Sequence, residues 1–523
     1  MKLSSRIIFG KVLHFWASYR RNGLAQKYAG DEAPLRAELF SSDQMKQHGK
    51  ALADSHKLAS GRAQDRLLTR LAENEGVLLG ACNLLTEAVT AYRRIAPAGE
   101  WLLDNFYLIE EQIRTAKRHL PKGYSQGLPS LLHGPSAGLP RVYDIALETI
   151  AHGDGRVDLE SLSGFVAAYQ KVTALKLGEL WAIPIMLRLA LIENLRRVGA
   201  RIAADRIDRN LADYWADQLT EIAEKDPKNL ILLIADMARS SLPMVSSFVA
   251  EFARRLQGQS PALALPLTWI EQRLSESGLS IEQLVRSENQ QQAADQVSVS
   301  NSIGSLRLLA AIDWREFVET MSFVEQVLRE DPVGVYGQMD FASRDRYRHS
   351  VEKIAKSSRM SEGEVARKAI HLAREGAASK DGDNRAAHVG FYLVDKGLPQ
   401  LERTAEVRLS VLEALQRMCC QFPLFIYLGT IALITGIFTG SLLVKAHASG
   451  IQDWLFVLTG ILSLLCASQL AVALVNCLAT MLVKPHPLPR MDFSEGIPPE
   501  SRALVVIPIS LLKVHNSAML THY

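Results

Sequence analysis

The feature that most constrains this chain is a pair of long stretches without a charged residue, Phe422–Val444 and Leu455–Val483. A helix of about 20 apolar residues crosses a hydrocarbon core of roughly 30 Å, and one central Lys, Arg or Asp costs about 2.5–3.5 kcal/mol. Helices buried in soluble proteins rarely run this long without charge. The two stretches therefore predict a transmembrane hairpin, and the second span must tilt or emerge from the bilayer because it is longer than required.

Basic residues near the two spans predict the orientation of the hairpin, because cytoplasmic flanks carry the excess of Lys and Arg. Only Lys445 lies in the connecting segment, Lys445–Asp453, where Trp454 would sit at the membrane interface. The outer flanks carry more basic residues: Arg403, Arg408 and Arg417 before the first span, and Lys484, Arg490 and Arg502 after the second. We expect a multi-pass protein of the cell inner membrane with both termini cytoplasmic and the connecting segment outside.

Composition predicts a large folded region ahead of the hairpin. Hydrophobic residues make up 48% of the 523 residues, and the net charge of +3 gives no sign of a basic surface for nucleic acid. The cysteines show no disulfide or metal spacing. Cys419 and Cys420 could be acylated at the edge of the bilayer, but the simpler interpretation is that they pack as small apolar side chains. The other cysteines are Cys82, Cys466 and Cys477.

The N-terminal segment is basic and apolar without being a secretory signal. Lys11 and His14 interrupt the apolar run that such a signal needs. Residues 1–28 are predicted to contain an amphipathic helix that docks on the folded region or lies on anionic lipid.

Helical spacing of apolar residues predicts an all-α region from residue 29 to residue 416. One helix is expected to start near Glu100 and to end before Pro121, and another to begin at Pro184, with Arg188 arguing against a third span. Breaks are predicted where Gly, Pro, Ser, Gln and Asp accumulate: Gly123–Pro140, Gly258–Pro266, Glu288–Ser302 and Ser379–Asn384.

Two short motifs suggest chemistry that their surroundings do not support. Gly134–Gly138 fits a nucleophile elbow around Ser136, but Pro129 and Pro140 predict a turn-rich loop in place of the required strand and helix. His152–Glu160 resembles a calcium loop whose acidic ligands are out of register, so a turn followed by a helix start is predicted there.

Two groups of charged residues allow two interpretations, a ligand-binding site or a solvated helix face. Asp340–His349 carries three arginines and the rings of Phe341, Tyr347 and His349, a set that could hold phosphate or stack on sugar. Ion pairs on a solvated helix face are the simpler interpretation. The second group, interpreted as a polar helix face without metal spacing, is His388, Tyr392, Asp395 and Lys396.

Several long strings closely resemble the N-terminal region of bacterial cyclic β-1,2-glucan synthases, from about Asp31 to Pro508. They are AGEWLLDNFYLIEEQIRTAKRHLPKGY at Ala98–Tyr124, GPSAGLPRVYDIALETIAHGDGRVD at Gly134–Asp158, KLGELWAIPIMLRLALIENLRR at Lys176–Arg197, SLRLLAAIDWREFVE at Ser305–Glu319, DFASRDRYRHSVEKIA at Asp340–Ala355 and HVGFYLVDKG at His388–Gly397. The resemblance implies a membrane glycosyltransferase that polymerises glucose from UDP-glucose, beginning on the protein itself, and closes the chain into a ring.

In that family the transferase domain follows the first pair of spans and carries metal and nucleotide aspartates. Here Met491–Ser510 is similar to the start of the transferase domain, with Ala503–Pro508 as its first buried strand. The residues that follow, Leu511–Tyr523, no longer resemble the family. We expect a frameshift or premature stop, since a lone strand leaves its backbone groups unpaired. UDP-glucose and a divalent metal are thus implied for the full-length family only, and no catalytic, cofactor-binding or metal-binding residue is assigned in this chain.

The predicted organisation is an amphipathic segment at 1–28, a helical cytoplasmic domain at 29–416, a transmembrane hairpin at 417–484 and the start of a transferase domain at 485–523. The predicted function is that of an N-terminal part of a glucan synthase, inactive by itself. The alternative is a membrane-anchored helical adaptor that binds a partner such as an intact synthase. Besides these, the expected partner is the lipid bilayer, and nucleic acid is not expected.

Overall fold

A computed structural model describes the chain over residues 32–59, 61, 65–240, 242–378, 384–408, 422–450, 454–482, 488–494, 496–499 and 502. In these ranges the fold is built from α-helices, five short 3₁₀ turns and isolated bridges, with no strand, which confirms the all-α prediction. Predictions for residues 1–28, for Cys419 and Cys420 and for the strand at Ala503–Pro508 lie outside the described residues.

The chain divides into two compact units between Ser322 and Phe323. This boundary was not predicted, because a single residue separates the helices on either side and no Gly-rich or Pro-rich linker marks it.

The first unit contains twelve described helices. They are α1 Ser42–Ser55, α2 Leu67–Thr90, α3 Pro97–Asp104, α4 Phe106–His119, α5 Arg141–His152, α6 Leu159–Gln170, α7 Leu177–Lys225, α8 Leu230–Arg239, α9 Ser246–Leu256, α10 Ala264–Ser275, α11 Ile281–Ala311 and α12 Trp314–Met321.

Helix α7 is the central element of this unit. It runs for 49 residues, about 74 Å at 1.5 Å per residue, and α2, α5, α9 and α11 pack against it. Its N-terminal half is buried on every side, as the near-complete burial of four consecutive residues, Leu189, Ala190, Leu191 and Ile192, indicates. A helix surrounded in this way must find partners for every polar side chain it carries.

The predicted start of α7 at Pro184 is wrong. The helix begins at Leu177, and Pro184 lies inside it. Burial of the preceding apolar residues and the cap at Lys176, whose N–H donates to Glu179 Oε2 at 2.9 Å, outweigh the local preference of proline for a first turn. Arg188 is buried and donates to Gln112 Oε1 at 2.7 Å, so this helix belongs to the core, as predicted.

Two other predicted boundaries also differ from the structure. The helix expected from Glu100 to Pro121 is two helices, α3 and α4, which meet at Asn105. Asn105 Nδ2 donates to the Trp101 carbonyl oxygen at 2.9 Å, and its Oδ1 accepts from Arg307 at 2.7 Å. The break predicted at Gly258–Pro266 ends earlier than expected, because α10 begins at Ala264 and contains Pro266. The loop at Gly123–Pro140 is confirmed outside one 3₁₀ turn.

The predicted break at Glu288–Ser302 is wrong, because these residues form the middle of α11. Four of their polar side chains, those of Glu288, Asp295, Ser298 and Ser302, face α7 and are buried there. Glu288 pairs with Arg209, Asp295 Oδ2 accepts from Arg201 Nε at 3.1 Å, and Asn194 Nδ2 lies 3.0 Å from Ser298 Oγ and 3.1 Å from Ser302 Oγ. Residues whose composition is typical of a loop thus form a polar interface between the two helices α7 and α11.

The described helices of the second unit are α13 Phe323–Leu328, α14 Phe341–Lys356, α15 Glu362–Ala378, α16 Val389–Val394, α17 Leu398–Thr404, α18 Pro423–Ala448 and α19 Trp454–Leu482. A separate apolar core includes Leu328, Tyr336, Val351, Val365 and Leu401.

Helices α18 and α19 are long and apolar enough to cross a membrane, over Leu424–Ala448 and Trp454–Met481. Only 6% and 17% of their most apolar windows are buried. Small side chains on one stripe of α19 are buried, including Ser463, Ala467 and Ala471, and Tyr427 donates to Asn476 Oδ1 at 2.8 Å across the pair. Small residues let apolar helices approach closely. Lys445 lies in the last turn of α18, not in the connecting segment as predicted.

The chain on both sides of this helix pair contacts α14. Before it, the Arg408 N–H donates to the Ser357 carbonyl oxygen at 2.8 Å, just past the C-terminal end of α14. After it, the Asp340 N–H donates to the Arg490 carbonyl oxygen at 2.9 Å, and the Arg490 N–H donates to Ser343 Oγ at 2.8 Å. These bonds connect both flanks of the pair to opposite ends of one helix.

We predict that Asp205 on α7 makes the stability of the first unit depend on pH. Burial, with repulsion from Glu288, raises the pKa of Asp205 to about 7, so the folded state holds its proton more tightly than the unfolded chain does. The free energy of unfolding of the first unit is therefore highest at low pH and decreases as pH rises from about 4 to about 7, where Asp205 loses its proton. The Asp205→Asn variant should be more stable than the natural chain at pH 8, by about 1–3 kcal/mol, and equal to it at pH 4.

Thermal unfolding of the whole chain in detergent, followed by circular dichroism across this pH range, measures the effect. Glu224→Gln, which removes an exposed carboxylate from the same helix, is the matched control and should leave the pH profile unchanged. Parallel profiles for the natural chain and Asp205→Asn would contradict the assignment.

Candidate functional site

The second unit contains a cleft of about 500 Å³ that combines cationic, aromatic and imidazole groups. It brings together parts of the two charged groups singled out in the sequence. Its lining comprises Val333, Val335, Arg346, Tyr347, Arg385, His388, Gly390, Phe391, Val394, Asp395, Leu488 and Pro489.

A buried carboxylate orients the imidazole at the wall of this cleft. Asp331 Oδ2 lies 2.8 Å from His388 Nδ1, and Asp331 Oδ1 accepts from the Val389 N–H at 2.8 Å. Burial alone would raise the pKa of Asp331, but the hydrogen bonds from His388 and the Val389 N–H outweigh it and hold that pKa below its ordinary value. His388 Nε2 is buried and has no hydrogen-bond partner among the described residues. Asp331 therefore fixes the orientation of this ring through Nδ1.

Gly390 is required by the close approach of two polar atoms. A Cβ at this position would clash with Tyr347 Oη and lie 2.6 Å from His388 Nε2. Any side chain here would have to displace both groups from the wall of the cleft.

The cluster Asp340–His349 divides between the cleft and the core. Arg346 and Tyr347 line the cleft, whereas Asp340 Oδ1 caps α14 by accepting from the Ser343 N–H at 2.9 Å. His349 faces outward between Asp345 and Glu352, and the hydrogen bonds that its ring donates to these carboxylates raise its pKa to about 9. The prediction of a solvated helix face is right for His349 and wrong for the arginine that precedes it.

Arg348 is fully buried and forms the central ion pair of the unit. Its Nη1 donates to Glu325 Oε2 at 2.7 Å and its Nη2 donates to Asp345 Oδ1 at 3.0 Å. The Tyr336 hydroxyl also donates to Glu325 Oε2, at 2.6 Å. A buried charge is tolerated only with such compensation. This network fixes α14 against α13 and so positions Arg346 and Tyr347, which lie on the same helix.

The predicted polar face at His388–Lys396 is also only partly present. His388 precedes the short helix α16 and bonds to Asp331, and Tyr392 is buried in the core, while Asp395 and Lys396 are exposed. The pairing of His388 with Asp331 joins residues 57 positions apart, which spacing along one helix cannot reveal.

The short motifs lie where the sequence analysis expected them. Ser136 is buried in a loop between the bridged residues Ser130 and Pro140, with neither the strand nor the helix of a nucleophile elbow around it. The acidic run after His152 forms a turn, and Asp158 caps α6 by accepting from the Ser161 N–H at 2.9 Å.

One cluster of potential metal ligands was missed from the sequence: His48, Glu148 and His152 in the first unit. The only local signal is the four-residue spacing of Glu148 and His152, which puts both on one face of α5. The third member lies 100 positions from Glu148.

The cleft of the second unit has groups suited to binding an anionic or hydroxylated ligand. Guanidinium groups of Arg346 and Arg385 attract phosphate or carboxylate, and the rings of Tyr347 and Phe391 offer apolar faces to a sugar. His388 resembles the oriented base of a hydrolase, but no serine, threonine or cysteine lines the cleft among the described residues. These groups suit the binding of such a ligand and do not indicate one reaction.

The described fold is that of a helical protein with an exposed pair of apolar helices. No model of a known protein family matches the chain. It is 32% identical over 484 residues to a curated protein of Rhizobium meliloti (strain 1021), the cyclic beta-(1,2)-glucan synthase NdvB. The match covers 92% of this chain and 17% of that protein. The chain is therefore homologous to part of a cyclic β-1,2-glucan synthase, which confirms the resemblance found in the sequence.

We predict that Gly390→Ala destabilises the second unit by about 1–3 kcal/mol, because the added methyl group overpacks the wall of the cleft. Gly337→Ala is the control, since a Cβ there meets no atom within 4 Å. Hydrogen exchange of α14 and α16 in the detergent-solubilised chain measures the difference. Equal protection in the two variants would contradict the tight packing of Tyr347 and His388 around Gly390.

Proposed function

We propose that this chain is the helical, membrane-anchored part of a cyclic β-1,2-glucan synthase of the inner membrane. In this proposal the helices from α1 to α17 lie in the cytoplasm, and α18 and α19 cross the bilayer as a hairpin. The carrying observation is the homology to a glucan synthase over 92% of the chain. Polymerisation of glucose from UDP-glucose would be performed by the whole synthase.

The exposed apolar surface of α18 and α19 supports the membrane part of this proposal. Side chains such as Phe425, Leu433, Val457 and Leu465 are each at least half exposed, over two helices that carry almost no charge. A continuous apolar surface of this size is unfavourable in water and favourable in lipid. The buried stripe of small residues gives the helices a packing interface that does not depend on the hydrophobic effect.

The contacts of α14 support a hairpin whose two flanks lie on the same side of the bilayer. Arg408 and Arg490 flank the pair, and their backbones bond at opposite ends of this one soluble helix. A chain that crossed the membrane once, or three times, would separate these flanks. The basic residues of the flanks favour the cytoplasmic side.

The role that follows is mechanical support. The Asp340 N–H and the Ser343 hydroxyl oxygen bond to the backbone of Arg490 and so tie the segment after the hairpin to α14. The ion pair of Arg348 ties α14 to α13. A catalytic module that follows this segment would thereby be held at a fixed place beside the bilayer. We assign no catalytic step to the described residues.

A chimaeric synthase tests this proposal. The matching region of the Rhizobium meliloti protein is replaced by this chain, and the chimaera is expressed in cells that lack their own synthase. We expect membranes of these cells to incorporate glucose from UDP-glucose into cyclic glucan, measured by radiolabel and by mass spectrometry.

Two variants make the result specific for hairpin packing. Ala471→Leu overpacks the buried stripe of α19 and should lower the yield of glucan severalfold, whereas Leu470→Ala, on the exposed side, should leave it unchanged. A chimaera that accumulates in the membrane without making glucan contradicts the proposal. An increase of glucan when the separate chain accompanies an intact synthase would favour the adaptor function instead.

A further inference from the structure

Three potential metal ligands meet where helices α1 and α5 of the first unit face each other. His48 comes from α1, and Glu148 and His152 come from successive turns of α5. None of the three is fully buried, since their side chains are 25%, 31% and 11% exposed. The cluster is thus accessible to an ion from solvent.

The distances among the ligand atoms fit one ion. Glu148 Oε2 lies 2.8 Å from His48 Nε2 and 3.3 Å from His152 Nε2, and all three atoms lie within 4.8 Å of one another. Tetrahedral ligands at about 2.0–2.1 Å from zinc stand about 3.3 Å apart. Small side-chain movements would bring the three atoms to that geometry.

A backbone carbonyl orients the His152 ring from the other side. His152 Nδ1 lies 2.7 Å from the Glu38 carbonyl oxygen, which can only accept, so this nitrogen carries the proton. In a neutral ring, Nε2 then points its lone pair toward the carboxylate of Glu148, an arrangement that requires a shared cation or a second proton. A hydrogen bond from the second ring nitrogen to a backbone carbonyl is the usual support of a metal-binding histidine.

The segment that supplies this carbonyl is itself held over the cluster. The Ala37 N–H donates to the Ala151 carbonyl oxygen at 3.0 Å, and the Phe40 N–H donates to the His152 carbonyl oxygen at 3.3 Å. The Phe40 ring stacks on the His152 ring at a centroid distance of 3.8 Å. His152 therefore has little freedom to rotate away from the other ligands.

We propose that His48, Glu148 and His152 bind a first-row divalent cation of the zinc type. Two imidazoles and one carboxylate match the ligand preference of zinc, and three protein ligands leave a fourth position for water. His152 also borders a cavity of about 420 Å³ that offers a path for the ion. The bound ion joins α1 to α5 and stabilises the contact of the preceding segment with both.

Zinc binding to the whole chain in detergent tests the proposal. The protein carries no histidine tag, is stripped with a chelator, and is titrated with zinc chloride in competition with a chromogenic chelator. We expect one zinc ion per chain and a rise in the unfolding temperature on binding. Cobalt in place of zinc should give the visible absorption of a four-coordinate site.

Two variants remove ligands and one serves as a matched control. His48→Ala and Glu148→Gln should weaken zinc binding by about tenfold or more, and Glu148→Gln keeps the shape of the side chain if His48→Ala fails to fold. The control is His371→Ala, because His371 also pairs with a glutamate four residues away, at 3.4 Å, without a third ligand. It should bind zinc like the natural chain.

Absence of stoichiometric zinc binding in the natural chain would overturn the proposal, and so would equal affinity in Glu148→Gln. Either result would mean that a protonated histidine, not a metal ion, shares the carboxylate of Glu148.

Discussion

The buried carboxylate of Glu193 is the constraint on which the first unit depends. Helix α7 is enclosed by other helices, so this charge must be balanced by the protein itself. Arg70 and Asn74 of α2 donate to it at 2.6 Å and 2.9 Å, and Arg196 and Arg197 of its own helix add two further donors. Burial would raise the pKa of Glu193, but the hydrogen bond from Arg70 and the charge of Arg196 hold it well below its ordinary value. The pairing fixes the register of α2 on α7, around which the remaining helices pack.

The same interactions explain which parts of the fold could be predicted from the sequence. Apolar periodicity and long uncharged stretches report directly on burial, so the all-α class and the two apolar helices were predicted correctly. Glu288 and Asp295 were interpreted as part of a loop, because the identity of a polar residue does not show whether its side chain faces water or a buried arginine. The start of α7 was wrongly predicted at Pro184 for a related reason. The preference of proline for the first turn of a helix is weaker than the packing of the residues before it.

The candidate cleft could be predicted only in part. Arg346 was noticed because arginines are dense in the sequence around it, whereas Arg385 was not. The partner of His388 lies 57 residues away, and the segment at Leu488 comes from beyond the apolar helices. Such contacts depend on tertiary structure. The homology adds a relation to part of a glucan synthase, which neither residue patterns nor geometry provide. The structure adds the hydrogen bonds that join α14 to both flanks of the apolar helix pair.

Cysteine labelling in whole cells tests the membrane account most directly. In a variant whose five cysteines are replaced by alanine, Ser449→Cys is introduced at the end of α18 and Asp492→Cys after α19. A maleimide that does not cross membranes should label Ser449→Cys once the outer membrane is permeabilised. It should label Asp492→Cys only after the inner membrane is permeabilised as well. Labelling of Asp492→Cys from outside, or equal labelling of both positions in cells with an intact inner membrane, would contradict a hairpin with cytoplasmic flanks.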